Sequence, residues 1–132
     1  MLSCGLRKYC MKKKITLLLM VIFLLVVTSA YAQDSREAAK IQHLIASVET
    51  LKGAKFIRNG SEYDARLAAD HLRLKFKNAG KRVRTAEDFI KYCGSKSSIT
   101  GKAYLIRLTD GTTVKAELFF RKKLLTFAKD NP

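Results

Sequence analysis

A cap signal, a broad apolar face and a stop signal mark residues 61–80 (SEYDARLAADHLRLKFKNAG) as one central helix. Ser61 is a typical N-cap, and Glu62 and Asp64 suit the positive end of the helix dipole. Gly80 is a typical stop. At helical spacing the apolar face consists of Tyr63, Leu67, Ala68, Leu72, Leu74 and Phe76. We expect the other segments of the domain to pack against this face.

The N-terminus has the pattern of a secretory signal peptide. Three lysines at 12–14 precede the thirteen apolar residues 15–27 (ITLLLMVIFLLVV), and an Ala-Tyr-Ala site follows. The apolar run is shorter than the roughly 20 residues that span a bilayer. We expect translation to start at Met11, residues 1–32 to be removed, and residues 33–132 to form one exported domain, periplasmic or secreted. An uncleaved membrane anchor is the alternative.

Removing the signal peptide changes the charge and the cysteine count. The whole chain carries a formal charge of +15; residues 33–132 keep 21 basic residues against 11 acidic ones, a net charge of +10. Cys93 is then the only cysteine, so no internal disulfide is available and an ordinary core must stabilise the fold. Such a basic surface attracts phosphates, anionic lipid headgroups or acidic polysaccharide, and export argues against nucleic acid as the partner.

Helical spacing predicts three more helices. The first opens at residues 34–37, with His43 on its solvated face, and stops at Gly53. The next is short, capped by Thr85 and ended by Gly94. After Val114 alternation would extend a strand, but helical spacing favours a C-terminal helix. The apolar positions of the first of these helices are Ile41, Leu44, Ile45, Val48 and Leu51. Those of the short helix are Ala86, Phe89, Ile90 and Cys93, and those of the C-terminal helix are Ala116, Phe120, Leu124 and Phe127.

Strand signals lie between these helices. Residues 54–58 are predicted as extended and are followed by the turn dipeptide Asn59-Gly60. Residues 102–108 have strand composition, and Asp110-Gly111 predicts a hairpin back to a short strand. The expected fold is therefore α+β and mostly α: three helices, a small β-hairpin and a C-terminal helix in one small domain. Tyr104, Ile106 and Leu108 share one side of the longer strand.

Four blocks of sequence resemble the YfeK-like family of small exported bacterial proteins. They are residues 56–60 (FIRNG), 71–75 (HLRLK), 85–90 (TAEDFI) and 97–102 (SSITGK), in that order. The resemblance implies a periplasmic location and a common framework built from these blocks. It implies no activity, because the family is of unknown function.

Three features bear on catalysis. His71 falls within the apolar face of the central helix, with no Cys, Asp, Glu or His three or four residues away on that side, which favours a buried histidine bonded to backbone or a hydroxyl. Cys93 fits a buried core position; a redox site or intermolecular pairing is the alternative. The loop 94–103 (GSKSSITGKA) has six residues between its glycines and Ala103 after the lysine, so it departs from a P-loop.

The basic residues and the loop hydroxyls are the binding candidates. Between 73 and 84 six basic residues occur without an acid. The loop hydroxyls either hold an anion or cap the end of the third helix and start the hairpin. We expect no catalytic residue, metal or cofactor, and a non-catalytic exported domain that binds an anionic envelope component or an envelope protein. The alternative is a small periplasmic enzyme or redox protein using His71, Cys93 or residues 97–102. The candidate binding residues are Arg58, Arg73, Lys75, Lys77, Arg82, Arg84, Ser97, Ser98, Thr100 and Lys102.

Overall fold

The computed structural model describes residues 3–132, with side chains described for residues 9–25 and 34–132. It divides into two compact units, Met1–Ser35 and Arg36–Pro132. Helix α1 covers Ser3–Glu49, so the boundary between the units lies within this helix.

The N-terminal part of α1 carries the apolar run of the predicted signal peptide. Its described side chains are exposed, with Leu17 at 65% and Phe23 at 71% of full exposure. The predicted cleavage point after Ala32 lies outside the residues whose side chains are described. Within the described residues, no helix combines the length and the hydropathy that crossing a membrane requires.

The predicted helix start at residues 34–37 is wrong, because the chain is already helical there. An N-cap needs an extended backbone, and no glycine or proline between residues 15 and 37 interrupts the helix in the uncleaved chain. The buried face of this helix is confirmed: Ile41, Leu44, Ile45 and Val48 are all at most 2% exposed.

The second unit contains an antiparallel sheet that is larger than the predicted hairpin. Its strands are β1 (Lys55–Arg58), β2 (Ser61–Tyr63), β3 (Leu105–Arg107) and β4 (Thr113–Lys115), in the order β2-β1-β3-β4. The α+β, mostly helical class is confirmed. The sheet gains β2 because Asn59 and Gly60 both have positive φ, 50° and 81°, which closes a two-residue hairpin.

The central helix α2 covers Ala65–Ala79 and therefore begins later than predicted. Ser61 and Glu62 lie in β2, and the N-cap is Asp64, whose carboxylate accepts a hydrogen bond of 2.8 Å from the backbone N–H of Leu67. The predicted apolar face is confirmed in part. Leu72 is buried and Ala68 and Phe76 pack against the core, whereas Leu67 and Leu74 are 56% and 53% exposed. Ala65 and Ala69 are also turned inward.

The remaining helices follow the predicted signals. A 3₁₀ turn, Gly80–Arg82, leads to helix α3 (Ala86–Phe89), which continues as a π-helical turn (Ile90–Gly94). The predicted capping box is present, since Thr85 and Asp88 exchange side-chain-to-backbone hydrogen bonds. Helix α4 covers Ala116–Asp130 directly after β4, as the helical spacing predicted.

The core lies between the inner face of the sheet and the helices of this unit. Across the sheet Tyr63, Phe56, Ile106 and Val114 are direct partners and therefore share that inner face. The prediction that His43 is solvated is wrong, since its ring lies 4.9 Å from that of Phe127 and its Nε2 atom is buried without a hydrogen-bond partner among the described residues. The fully buried large side chains are Phe89, Phe120, Ile41, Leu44, Ile45, Ile90, Ile106, Val48 and Cys93.

Candidate functional site

The hydroxyls of the 97–102 loop hold the loop together. Ser97 is 4% exposed, and its Oγ accepts from the backbone N–H groups of Ile99 and Thr100 at 3.4 and 3.3 Å and from Asn59 Nδ2 at 3.3 Å. Thr100 Oγ1 donates to Asn59 Oδ1 at 2.6 Å. The loop is thereby tied to the Asn59-Gly60 turn. These contacts occupy the Ser97 and Thr100 hydroxyls within the loop and at the Asn59 turn, rather than at the end of the third helix as the capping alternative predicted.

Two of the predicted basic residues have partners within the domain. Arg73 donates to Glu49 at 2.5 Å and to Asp70 at 2.9 Å, so both carboxylates offset its charge. Lys75 Nζ donates to the carbonyl oxygen of Lys96 and to the hydroxyl of Tyr104, each at 3.1 Å. The latter two bonds anchor Lys75 without neutralising it, because neither acceptor is charged.

Helix α2 and the turn Ile90–Gly94 enclose a shallow, positively charged hollow of about 430 Å³, which we call the basic depression. It brings together the predicted residues Lys75, Arg82 and Ser98. It also includes two basic residues that sequence reasoning missed, Lys91 and Lys96. Its lining consists of Lys75, Asn78, Ala79, Arg82, Lys91, Tyr92, Lys96 and Ser98, with no carboxylate among these described side chains.

Tyr92 lies between two of these cations. The Arg82 guanidinium carbon is 5.7 Å and Lys91 Nζ is 5.1 Å from the centre of its ring. Both distances are within the range of cation–π attraction. The ring is 37% exposed, so it forms part of the surface of the basic depression.

The other predicted basic residues do not line this hollow. Lys77, Arg84 and Lys102 are exposed elsewhere on the surface, and Arg58 lies at the end of β1 on the inner side of the sheet. Lys91 lies within the turn Ile90–Gly94 and Lys96 follows it, so a signal was present in the closeness of these two lysines to the predicted loop 97–102. Their spacing alone does not show that they face α2.

Arg58 forms the second site, next to His71 of α2. Its Nη1 lies 2.5 Å from Nε2 and 3.0 Å from Nδ1 of His71. Burial, followed by the charges of Arg58 and Lys75, lowers the pKa of His71. The imidazole is therefore held neutral as the acceptor of the guanidinium. The predicted partner for His71, backbone or a hydroxyl, is thus replaced by a cation.

Arg58 and His71 line the same half-open space, about 210 Å³ in volume, which we call the apolar cavity. It lies between the sheet and α2, with Gly94 and α4 at one side. Its other lining residues are largely carbon: Phe56, Ile57, Tyr63, Leu67, Ala68, Leu72, Tyr104, Leu105, Ala116 and Phe120.

The prediction of a buried Cys93 is confirmed. Its side chain is 1% exposed and burial raises the pKa of its thiol, with only a weaker opposing effect from Lys75. A protonated, enclosed thiol is a poor nucleophile. For the part of the chain that the structure describes, no group of three or more His, Cys, Asp or Glu side chains is placed to hold a metal ion.

The chain was compared with known proteins. It is 40% identical over 85 residues to "Uncharacterized protein YfeK" of Salmonella typhimurium (strain LT2), covering 64% of this chain and 71% of that protein. No solved structure matches it. Residues 35–128 match the family DUF5329, described as a family of unknown function. This match covers the sheet, α2 and α3 and confirms the resemblance seen in the four sequence blocks; the chain belongs to DUF5329.

Proposed function

We propose that this protein is exported and binds an anionic component of the cell envelope through the basic depression. The export part rests on the lysines at 12–14, the apolar residues 15–27 and the Ala-Tyr-Ala site that ends at Ala32. On this proposal residues 1–32 are removed, and the domain acts in the periplasm or outside the cell.

The proposal that the protein binds an anion rests on one observation: four basic side chains line the basic depression together. Lys75, Arg82, Lys91 and Lys96 line it together, and no carboxylate is among its described lining side chains. Outside the lining, Asp88 interacts with Lys91 alone of the four. Like charges at close range repel one another, and an anion placed between them relieves that repulsion. Ser98, Asn78 and Tyr92 add neutral hydrogen-bonding groups to the same hollow.

The shape of the basic depression favours a polyanionic surface over a single small anion. It is open, and three of its four charged groups, those of Arg82, Lys91 and Lys96, are on long, exposed side chains. Phosphate headgroups of lipids and acidic groups of polysaccharide present several charges to such a surface at once. Each contact is weak in water, so affinity depends on several contacts and falls as salt screens them.

Export is tested by expressing the full chain with a C-terminal tag in a bacterium and measuring the mass of the tagged product in each cell fraction. We expect a product that begins at Gln33 in the envelope or periplasmic fraction. The variant Ala30→Arg/Ala32→Arg should prevent processing at this position. A full-length product that stays in the cytoplasm would contradict the proposal.

Binding is tested by co-sedimentation with vesicles of an anionic phospholipid, vesicles of a zwitterionic phospholipid, and an acidic polysaccharide. We expect binding to an anionic probe at about 0.1 M salt and loss at about 1 M salt, where the Debye length falls from about 10 Å to about 3 Å. The charge-reversal variant Arg82→Glu/Lys91→Glu should bind at least about tenfold more weakly.

The matched control is Lys122→Glu/Lys129→Glu. It changes the net charge by the same amount, on exposed α4 residues that do not line the basic depression. If both double variants lose binding equally, the effect belongs to net charge and the assignment to the basic depression is refuted. No binding of the unaltered protein to any anionic probe would refute the proposed function itself.

A further inference from the structure

We propose that the apolar cavity is a binding site for a small monocarboxylic acid, with its ring or short alkyl tail in the cavity and its carboxylate on Arg58. This site is separate from the basic depression and does not depend on the function proposed for it. The charge of Arg58, the size of the cavity and the chemistry of its walls each favour such a ligand.

Arg58 carries a charge that nothing described in the structure neutralises. It is half-buried, and its bonded neighbour His71 is a neutral acceptor. Among the described side chains Arg73, Arg107 and Arg121 each hold a carboxylate, whereas Arg58 has none within ion-pair distance. A partly buried cation without an anion is costly, and this cost is recovered when an anion binds.

The guanidinium also has an edge left for a ligand. The described bonds of Arg58 to His71 involve Nη1 only. This leaves the edge formed by Nε and Nη2, which matches the two oxygens of a carboxylate. His71 therefore acts as a positioning residue: it holds the guanidinium at the cavity without taking up its charge.

The volume of the cavity limits the tail of the ligand. An apolar protein cavity of about 150 Å³ accepts benzene, whereas drug-sized ligands occupy about 300–1,000 Å³. The apolar cavity, at about 210 Å³, therefore suits one aromatic ring or a short alkyl chain. A two-chain phospholipid is too large for it.

The walls favour an apolar tail. Phe56, Leu72 and Phe120 present rings and methyl groups to the space, and Ala68 and Ala116 leave room by their small side chains. Gly94 lets the Phe120 ring pack directly on the backbone, since a Cβ there would lie 2.9 Å from two ring atoms of Phe120. A charged group at one end of an otherwise carbon-lined space selects a ligand with one charged end and one apolar end.

The test uses the full chain, with 3-phenylpropanoate and hexanoate as probes and 3-phenylpropanol and hexanol as uncharged matches. Calorimetry should give saturable binding of one acid per chain. The alcohols should bind at least about tenfold more weakly, because a charge-assisted pair with a guanidinium is stronger than a neutral hydrogen bond. Acids and alcohols that bind alike, or no binding of either acid, would overturn the proposal.

Two variants locate the site. Arg58→Gln removes the charge, and Ala68→Leu fills the cavity while keeping Arg58; each should weaken binding of both acids at least about tenfold. Arg107→Gln is the matched control, because Arg107 lies on the other face of the sheet and pairs with Glu62 at 2.6 Å. It should leave the affinity unchanged. Unchanged affinity in Ala68→Leu overturns the proposal even if Arg58→Gln does not fold.

A nuclear magnetic resonance titration provides an independent readout. Saturating 3-phenylpropanoate should shift the ring signals of His71, which lines the cavity, and leave those of His43 in place. A peptide with an apolar C-terminal residue offers the same chemistry on a larger molecule. If such a peptide binds and both small acids do not, the small-acid assignment is refuted.

Discussion

The apolar cavity and the basic depression present positive charge in opposite ways. The cavity has one half-buried guanidinium beside His71 at the edge of a largely carbon-lined space, whereas the depression has four cations on an open surface. A charge in a low-dielectric site interacts several-fold more strongly with a partner than one in water. The basic depression therefore has the larger number of cations. The single, partly buried charge of Arg58 is the one expected to interact more strongly with an anion.

The partners of the predicted basic residues show in the same way that the number of basic residues alone does not identify a binding site. Arg73 has two carboxylate partners, and Lys75 is anchored to a carbonyl and a hydroxyl. The Arg73–Asp70 pair has i,i+3 spacing within α2. Glu49 and Tyr104, by contrast, come from distant parts of the chain, so their contacts could not be read from the spacing of charges along α2. The comparison of the two regions makes four predictions, which follow from the largest expected effect to the smallest.

The first prediction is that the buried part of the apolar cavity's wall, unlike its exposed rim at Leu67 and unlike the basic depression, carries stability. Leu72→Ala should lower the free energy of unfolding by about 3 kcal/mol, because Leu72 is 6% exposed and its removal enlarges the cavity. Arg82→Ala should change it by less than about 0.5 kcal/mol. Chemical denaturation followed by circular dichroism measures both.

The matched control for Leu72 is Leu67→Ala. It makes the same chemical change on the same helix, but Leu67 is 56% exposed. We expect a loss below about 0.5 kcal/mol there. Equal losses at Leu67 and Leu72 would show that α2 has the helical phase predicted from sequence rather than the phase described here.

The second prediction concerns the backbone beside the cavity. Gly94→Ala should lower the free energy of unfolding by about 1–3 kcal/mol, because the added Cβ would lie 2.9 Å from Cδ2 and Cε2 of Phe120 and the ring would have to move. Ser98→Ala, at the exposed edge of the basic depression, should be nearly neutral. If Gly94→Ala is also neutral, the packing of Phe120 on the turn Ile90–Gly94 is looser than described.

The third prediction separates the two regions by salt. Raising salt from about 0.1 M to about 1 M should weaken binding of anionic vesicles about tenfold or more, because the cations of the basic depression are solvated and screened. Binding of 3-phenylpropanoate should weaken by less than about threefold, since the Arg58 site is partly enclosed and its tail contacts strengthen with salt. Equal salt dependence of both ligands would remove the distinction between the sites.

Local signals in the sequence predicted much of this fold. The Asn59-Gly60 and Asp110-Gly111 turns, the Thr85 capping box and the choice of a helix after β4 follow from chemistry within a few residues. Strand β2 was missed because Ser61 and Glu62 fit both a helix start and a strand end. Only pairing with β1 selects the strand.

The candidate sites depended on contacts that spacing does not reveal. His71 was predicted near the apolar face of α2, but its partner Arg58 comes from β1, thirteen residues earlier. The loop hydroxyl of Ser97 accepts a hydrogen bond from the side chain of Asn59, which is distant in sequence. In both cases the short-range pattern identified the residue and the tertiary contact decided its role.

The last and smallest prediction is a pH effect at the apolar cavity. The pKa of His71 is lowered in the folded protein by burial, then by Arg58 and Lys75, so the unfolded chain binds more protons below about pH 6.5. Stability should therefore fall as pH drops from about 7.5 to about 5.5, by less than about 1 kcal/mol since the ring is only partly buried. In His71→Phe this contribution should vanish while the cavity wall stays apolar. Denaturation midpoints of both proteins across this range measure the difference, and parallel pH profiles would mean that the ring keeps its ordinary pKa despite lying beside Arg58.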